Sequence, residues 1–244
     1  MNCTSKRSCA VNLIKAFVSN SVNSLIGYVK FNTDFLASLI KRFEHTADLY
    51  NKGEYNPKEE KAFAPALANR IDRNTGGIVI AAKNAESLRV LNAKIKTREL
   101  EKYYLCLLHG KPKKDCDILH DYLIKNEAQN KVKIFSKQVD GSKEIITKYE
   151  ILDFNGKYSL AEVELLTGRT HQIRAHMAYI GHPLVGDTKY GKNRKAPDNI
   201  KYQALYSYKL KFSFDTDAGI LNYLNGKEFS VKEVWFAKNK HISI

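Results

Sequence analysis

A carboxylate set between two guanidinium groups is the feature of this sequence best placed to do chemistry. In Asn69-Arg70-Ile71-Asp72-Arg73-Asn74-Thr75-Gly76-Gly77, Asp72 lies between Arg70 and Arg73 in a stretch of loop character. Arg70 and Asp72 are two positions apart, so in an extended chain both side chains leave the same face. An arginine beside a carboxylate favours the charged form, in a structural ion pair and in a reactive site alike. Both readings fit this stretch taken alone. The run Ile78-Val79-Ile80-Ala81-Ala82, bounded by Gly-Gly and by Lys83-Asn84, predicts a buried strand with a tight turn before it.

A second stretch lies far downstream. It reads Leu166-Thr167-Gly168-Arg169-Thr170-His171-Gln172-Ile173-Arg174-Ala175-His176-Met177, then Gly181-His182-Pro183-Leu184-Val185-Gly186-Asp187 and Tyr190-Gly191. Together the two stretches resemble the RluA-type RNA pseudouridine synthases. The family's first motif, Arg-Leu-Asp-x-x-Thr-Ser-Gly, reads here as Arg70-Ile71-Asp72-Arg73-Asn74-Thr75-Gly76-Gly77. Its second, Gly-Arg-Thr-His-Gln-Ile-Arg-x-His followed by Gly-His-Pro-Leu-x-Gly-Asp, is present almost letter for letter. The resemblance covers roughly residues 33 to 236.

The resemblance implies an α+β fold: a pseudouridine-synthase-like catalytic domain with a mixed, mainly antiparallel sheet, flanking helices and a central RNA-binding cleft. It implies that Asp72 is the catalytic carboxylate and that Arg169 pairs with it. Tyr104, in Lys102-Tyr103-Tyr104, becomes the active-site tyrosine that stacks on the base and acts in proton transfer. Arg70 fills the place the base vacates or holds phosphate. Lys102 and Arg174 complete the RNA-binding set, Arg174 either bracing the site or touching phosphate. No metal and no cofactor are implied. The substrate class is structured RNA, large-subunit ribosomal RNA first and transfer RNA as the alternative, met by a cytoplasmic monomer with no membrane partner.

Residues 1–32 depart from the family pattern: its Asn-Lys-Pro-x-Gly loop and leading basic module are not found there. The chain therefore divides into an N-terminal segment of unclear role, 1–32, and a catalytic domain, 33–244. The departure motivates a second reading, a catalytically impaired RNA-binding homologue. A third, a basic hydrolase using Asp72 with His171 or His176, lacks a carboxylate cluster able to hold two metals. His171 and His176 are five apart and do not share a helical face, which argues against a metal site.

Composition agrees with a nucleic-acid partner. The 244 residues are 43% hydrophobic, enough for a core, and carry a net charge of +14. Such a surplus favours polyanions, nucleic acid before anionic membrane. No apolar run reaches the ~20 residues that span a bilayer, and Met1–Ala10 makes a poor signal peptide. Cys3, Cys9, Cys106 and Cys116 are scattered, which suits reduced thiols.

Several elements must position these groups. Phe35, Leu36, Leu39, Ile40 and Phe43 predict a helix over 33–50, followed by a charged loop at 51–61. Asn84 caps a second helix whose buried stripe is Leu88, Leu91, Ile95 and Leu100. Lys94, Lys96 and Arg98 crowd its end as a solvated face or a phosphate-binding edge. A strand over 102–109 points Lys102 and Tyr104 one way and Tyr103 the other. Further strands are expected at 118–123, 131–135 and 143–147. Lys131, Lys133 and Lys137 should form one cationic face, for solvent or for RNA. Strands 148–154 and 159–166 pair around Asn155-Gly156, and a helix runs from Thr170 to Tyr179. A basic loop (189–201) and strands at 204–214 and 228–236, with Trp235 and Phe236 in the core, complete the chain.

Overall fold

A computed structural model describes residues 66–82, 84–191 and 194–243. The expected helix over 33–50, the loop at 51–61 and the N-terminal segment 1–32 lie outside the described residues.

Strand β4 (Leu100–His109) is the centre of an eight-stranded sheet. Its run Tyr104-Leu105-Cys106-Leu107-Leu108 is apolar on both sides, as a strand covered on both faces must be. Leu105 and Leu107 enter one core cluster, and Tyr104, Cys106 and Leu108 enter another. Each fully buried leucine contributes about 1.5–3 kcal/mol of transfer free energy. β4 pairs with β8 (Tyr158–Leu165) on one side and β9 (Leu205–Phe212) on the other. From β8 the sheet runs through β7 (Lys143–Phe154) and β5 (Cys116–Asn126) to β6 (Lys131–Phe135), and from β9 to β10 (Glu228–Ser230). These pairs are antiparallel, while β2 (Gly76–Gly77) lies parallel to β9. The sheet is thus mixed and mainly antiparallel.

Two strand expectations are corrected. The pieces 143–147 and 148–154 form one strand, β7. The run Ile78–Ala82 is not one buried strand: Ile78 N–H still bonds β9 at the Ser207 carbonyl (2.8 Å), Ile78–Ile80 are only partly buried, and strand resumes at β3 (Ala81–Ala82), which pairs with β1 (Ala66–Leu67) in another sheet.

Helix α1 (Ala85–Lys96) starts where the Asn84 side-chain oxygen accepts the Ser87 N–H at 2.8 Å. Leu88, Leu91, Ile95 and Leu100 pack with Leu210 and Phe212. The cations at its end do not share one environment. Lys94 is only 3% exposed and donates at 2.6 Å to Glu99 Oε2 and to Thr216. It is neither a solvated cation nor part of a phosphate edge. The Lys94 ammonium, with Thr97 and Thr216, holds the Glu99 carboxyl down at about 2.

Helix α2 (Gln172–Tyr179) packs Ile173 and Met177 against Leu108 and Val163. It starts later than the Thr170 expected, because His171 takes a left-handed φ of 54° and turns the chain sharply into the helix. A small C-terminal sheet holds β11 (Glu233–Val234), β12 (Ala237–Lys238) and β13 (His241–Ile242). Trp235 and Phe236 form the tip of its first hairpin. Phe236 is fully buried, but Trp235 is 52% exposed and is not core.

Candidate active site

Asp72 sits in a loop fastened at both ends. Ala68 N–H donates to the Ile80 carbonyl at 2.8 Å, and Ile80 N–H donates to Asn69 Oδ1 at 2.7 Å. A tight turn closes where Thr75 N–H donates to the Asp72 carbonyl at 3.0 Å, with Asn74 at φ 64°, a conformation asparagine tolerates well. The turn is tied to the sheet by Gln203, whose Nε2 donates to the Arg73 carbonyl at 2.6 Å and to Thr75 Oγ1 at 3.3 Å. Gly77 then runs so close to β9 that a Cβ there would lie 2.1 Å from the Ser207 carbonyl oxygen, and its φ is +120°. Only glycine fits this approach. The expected turn before the strand is therefore present, and it fixes Asp72 on a rigid edge.

The guanidinium paired with Asp72 belongs to Arg174, with Nη1 3.6 Å from Oδ2. The expectation that Arg169 makes this pair is corrected. The left-handed turn at His171 sends Arg169 out on the loop after β8, exposed, while Arg174 comes inward on α2. The same burial corrects the option of Arg174 as a phosphate contact. It is 6% exposed and grips Asp187 bidentately, Nε to Oδ2 at 2.7 Å and Nη2 to Oδ1 at 3.0 Å. Asp187 Oδ1 also accepts the N–H groups of Lys189 and Tyr190 at 2.8 and 3.0 Å. Burial opposes the charge of Asp187, but Arg174 and these backbone donors outweigh it and hold the carboxyl below its usual range. The result is a fixed row of alternating charge, Asp72, Arg174 and Asp187. A bidentate partner aims the guanidinium in a way that a point charge could not.

Around this row, the Arg174 guanidinium lies 5.4 Å from the centroid of the Tyr190 ring. The Tyr190 hydroxyl accepts the Val132 N–H at 3.0 Å and lies 2.9 Å from His171 Nδ1. Burial pushes the His171 imidazole below its ordinary range, against the pull of Asp72 and with the push of Arg174 and Lys189. Deeper, His176 is fully buried between Thr147 Oγ1 and Asp121 Oδ2, both at 2.9 Å. Gln172 joins Thr147 to Thr167 and to the backbone N–H of Arg169, so the loop carrying Arg169 is set by the helix behind it.

Asp72 opens onto a cleft of about 770 Å³. Arg70, Lys102, Tyr104, Arg169 and His171 line it with Asp72. The strand alternation holds: Lys102 and Tyr104 face the cleft, while Tyr103 lies on the other side of β4 under Lys209. Burial lowers the Lys102 ammonium. Burial also pushes the Tyr104 phenol up to about 12, with a bond to Ser207 working the other way and the charge of Asp72 adding to the rise. Tyr104 thus stays protonated over the neutral range and can donate a hydrogen bond. Arg70 and Arg169 are exposed on the rim. Among the described residues no cluster of His, Cys, Asp or Glu is arranged to hold a metal ion. None of their helices is long and apolar enough to cross a membrane.

Sequence reasoning missed Asp187, Tyr190 and the buried roles of His171 and Gln172. The only signal for Asp187 was its place in the second motif; nothing local marks it as the clamp on Arg174.

Residues 27–179 match the family model for RNA pseudouridylate synthase. The chain belongs to this family. Among curated relatives it is 37% identical over 128 residues to the ribosomal large subunit pseudouridine synthase C of Vibrio cholerae, covering 52% of this chain and 39% of that protein. It is 35% identical over 156 residues to synthase D of Borreliella burgdorferi, covering 64% and 47%. The chain thus spans less than half the length of these curated relatives. Among solved structures, human RNA pseudouridylate synthase domain containing 1 aligns with a TM-score of 0.56 at 25% identity, over 70% of this chain and 71% of that one.

Proposed function

We propose that this pseudouridylate synthase family member isomerises uridine to pseudouridine in large-subunit ribosomal RNA, with Asp72 as the catalytic carboxylate. The observation that carries the reading is the Asp72–Arg174–Asp187 row opening onto a cleft with a cationic rim. An RNA binder without chemistry has no need of a carboxylate held in that position.

The isomerisation breaks the N1–C1′ bond, rotates the uracil and forms a C5–C1′ bond; a proton leaves C5 and N1 gains one. A carboxylate serves either at C1′ as a nucleophile or at C2′ as a base. No external oxidant or reductant enters the balance. The target must leave its helix, at a cost of a few kcal/mol, which contacts from a positive surface to the RNA backbone offset. Arg70, exposed beside Asp72, fills the vacated place or holds phosphate. Tyr104 stacks on the base, worth ~1–3 kcal/mol per base, and its protonated hydroxyl serves as a donor. Arg174 orients Asp72 from within. Arg169, free of Asp72, reaches the substrate from the rim. The protein acts as a monomer in the cytoplasm, and transfer RNA is the alternative substrate.

The test is tritium release from large-subunit ribosomal RNA transcripts labelled at C5 of uridine. The wild-type protein releases tritium and Asp72→Asn does not. Wild-type protein that binds the transcript and releases none would replace this reading with that of an RNA-binding homologue.

A further inference from the structure

The turn that ends α1 holds two cations in opposite states. Lys94 is buried on Glu99 and Thr216. Arg98, four residues on, is exposed and adopts φ +65°. The backbone here closes as a helix terminus with a left-handed residue: Glu99 N–H donates to the Lys94 carbonyl at 2.9 Å and Arg98 N–H to that of Ile95 at 3.3 Å. That position favours glycine, because a side chain crowds the backbone there. An arginine holds it at the expense of backbone comfort. Cations near a helix C-terminus interact favourably with the helix dipole, but Lys96 already meets that need without a left-handed residue. Among the described residues the Arg98 side chain makes no ion pair and no hydrogen bond. It lines the cleft beside Lys96. The turn beneath it is locked, since Glu99 also accepts the backbone N–H groups of Asp215 and Thr216 at 2.9 and 3.2 Å.

We propose that Arg98 and Lys96 form a phosphate subsite that grips the RNA backbone next to the flipped nucleotide. The proposal rests on the reading of the cleft as an RNA site. Arg98 is presented from a rigid turn on the α1 side of the cleft, separate from the loops that carry Asp72 and Arg169. Backbone strain at an exposed, unpartnered cation fits a residue kept for a ligand rather than for the fold.

The substitution Arg98→Gly separates the two roles, because it removes the cation and relieves the backbone together. The probe is a mixed-sequence, uridine-containing RNA stem-loop titrated over a range of salt concentrations. The proposal expects Kd for Arg98→Gly to rise about 3- to 10-fold at moderate salt. It also expects the slope of log affinity against log salt to fall by about 0.7–0.9, the contribution of one phosphate. The thermal midpoint stays level or rises. Arg98→Lys keeps most of the slope. Arg89→Gln, exposed on the same helix but outside the cleft lining, leaves the slope unchanged. Wild-type binding with an unchanged slope in Arg98→Gly would overturn the subsite alone, as would an equal loss in Arg89→Gln. A wild-type protein that fails to bind the stem-loop would overturn the RNA reading of the cleft and the subsite with it.

Discussion

Arg169 and Arg174 lie on one short stretch of chain, and the fold treats them in opposite ways. Arg169 stands exposed on the loop after β8, with its backbone N–H held by Gln172 and its side chain at the rim. Arg174 lies inside, clamped by Asp187 and paired to Asp72. What separates them is the turn at His171, where the backbone goes left-handed and the chain rotates into α2. A buried guanidinium with a bidentate partner is an internal part of the candidate site, with its direction set by the fold alone. An exposed one is a mobile charge, useful for meeting a polyanion and of little weight in stability. The difference shows that two identical side chains within one motif can take unlike roles, decided by the backbone between them.

The largest expected effect follows from breaking the buried side. Asp187→Asn removes the charge that holds Arg174, and stripping a buried ion of its partner typically costs about 3 kcal/mol or more. Chemical denaturation should show that loss, with pseudouridine formation reduced at least ~100-fold. Next is Tyr104→Phe, which keeps the ring and removes the donor. Product formation should fall ~100-fold while RNA affinity stays within about two-fold, because losing one oriented hydrogen-bond donor to the transition state costs about that much. Equal losses of binding and turnover would place the hydroxyl in substrate binding instead.

Acid should sharpen the picture away from the cleft. Glu99 is ionised in the folded protein down to about 2, against an ordinary value of 4.5. A depressed carboxylate lends stability above its unfolded value and loses it as pH falls through the folded one. The thermal midpoint should therefore drop between pH 4.5 and 2. Lys94→Met should lower the neutral-pH midpoint by several degrees and flatten that acid limb. The smallest effect belongs to Arg169→Ala: stability within ~0.5 kcal/mol of wild type, and RNA affinity reduced a few-fold at low salt. A destabilisation comparable to that of Asp187→Asn would break the contrast between the two arginines.

Local signals in the sequence were read well, because local physics sets them. The Asn84 cap, the outward Lys131 and Lys133 beside the buried Val132 and Ile134, and the shared face of Lys102 and Tyr104 each follow from one element's own periodicity. The loop bearing Asp72 was legible from its own turn residues, and the sheet class from the family resemblance that two long motifs carry. The ion pair was not. Choosing between Arg169 and Arg174 requires the φ of His171 and the position of Asp187, and a left-handed histidine leaves no mark in composition. Lys94 misled because the turn after α1 folds Glu99 back onto it, and Thr216, which completes its shell, arrives only after the chain has crossed the sheet. Trp235 misled because a hairpin tip gives adjacent residues opposite environments, so an aromatic pair need not share a core.

If this cleft makes pseudouridine through Asp72, the product itself is the readout. Pseudouridines are mapped at single-nucleotide resolution in RNA from cells lacking the protein, rescued with wild type or with Asp72→Ala. A specific site in large-subunit ribosomal RNA should disappear, and wild type alone should restore it. Restoration by Asp72→Ala, or a map without any change, would contradict it.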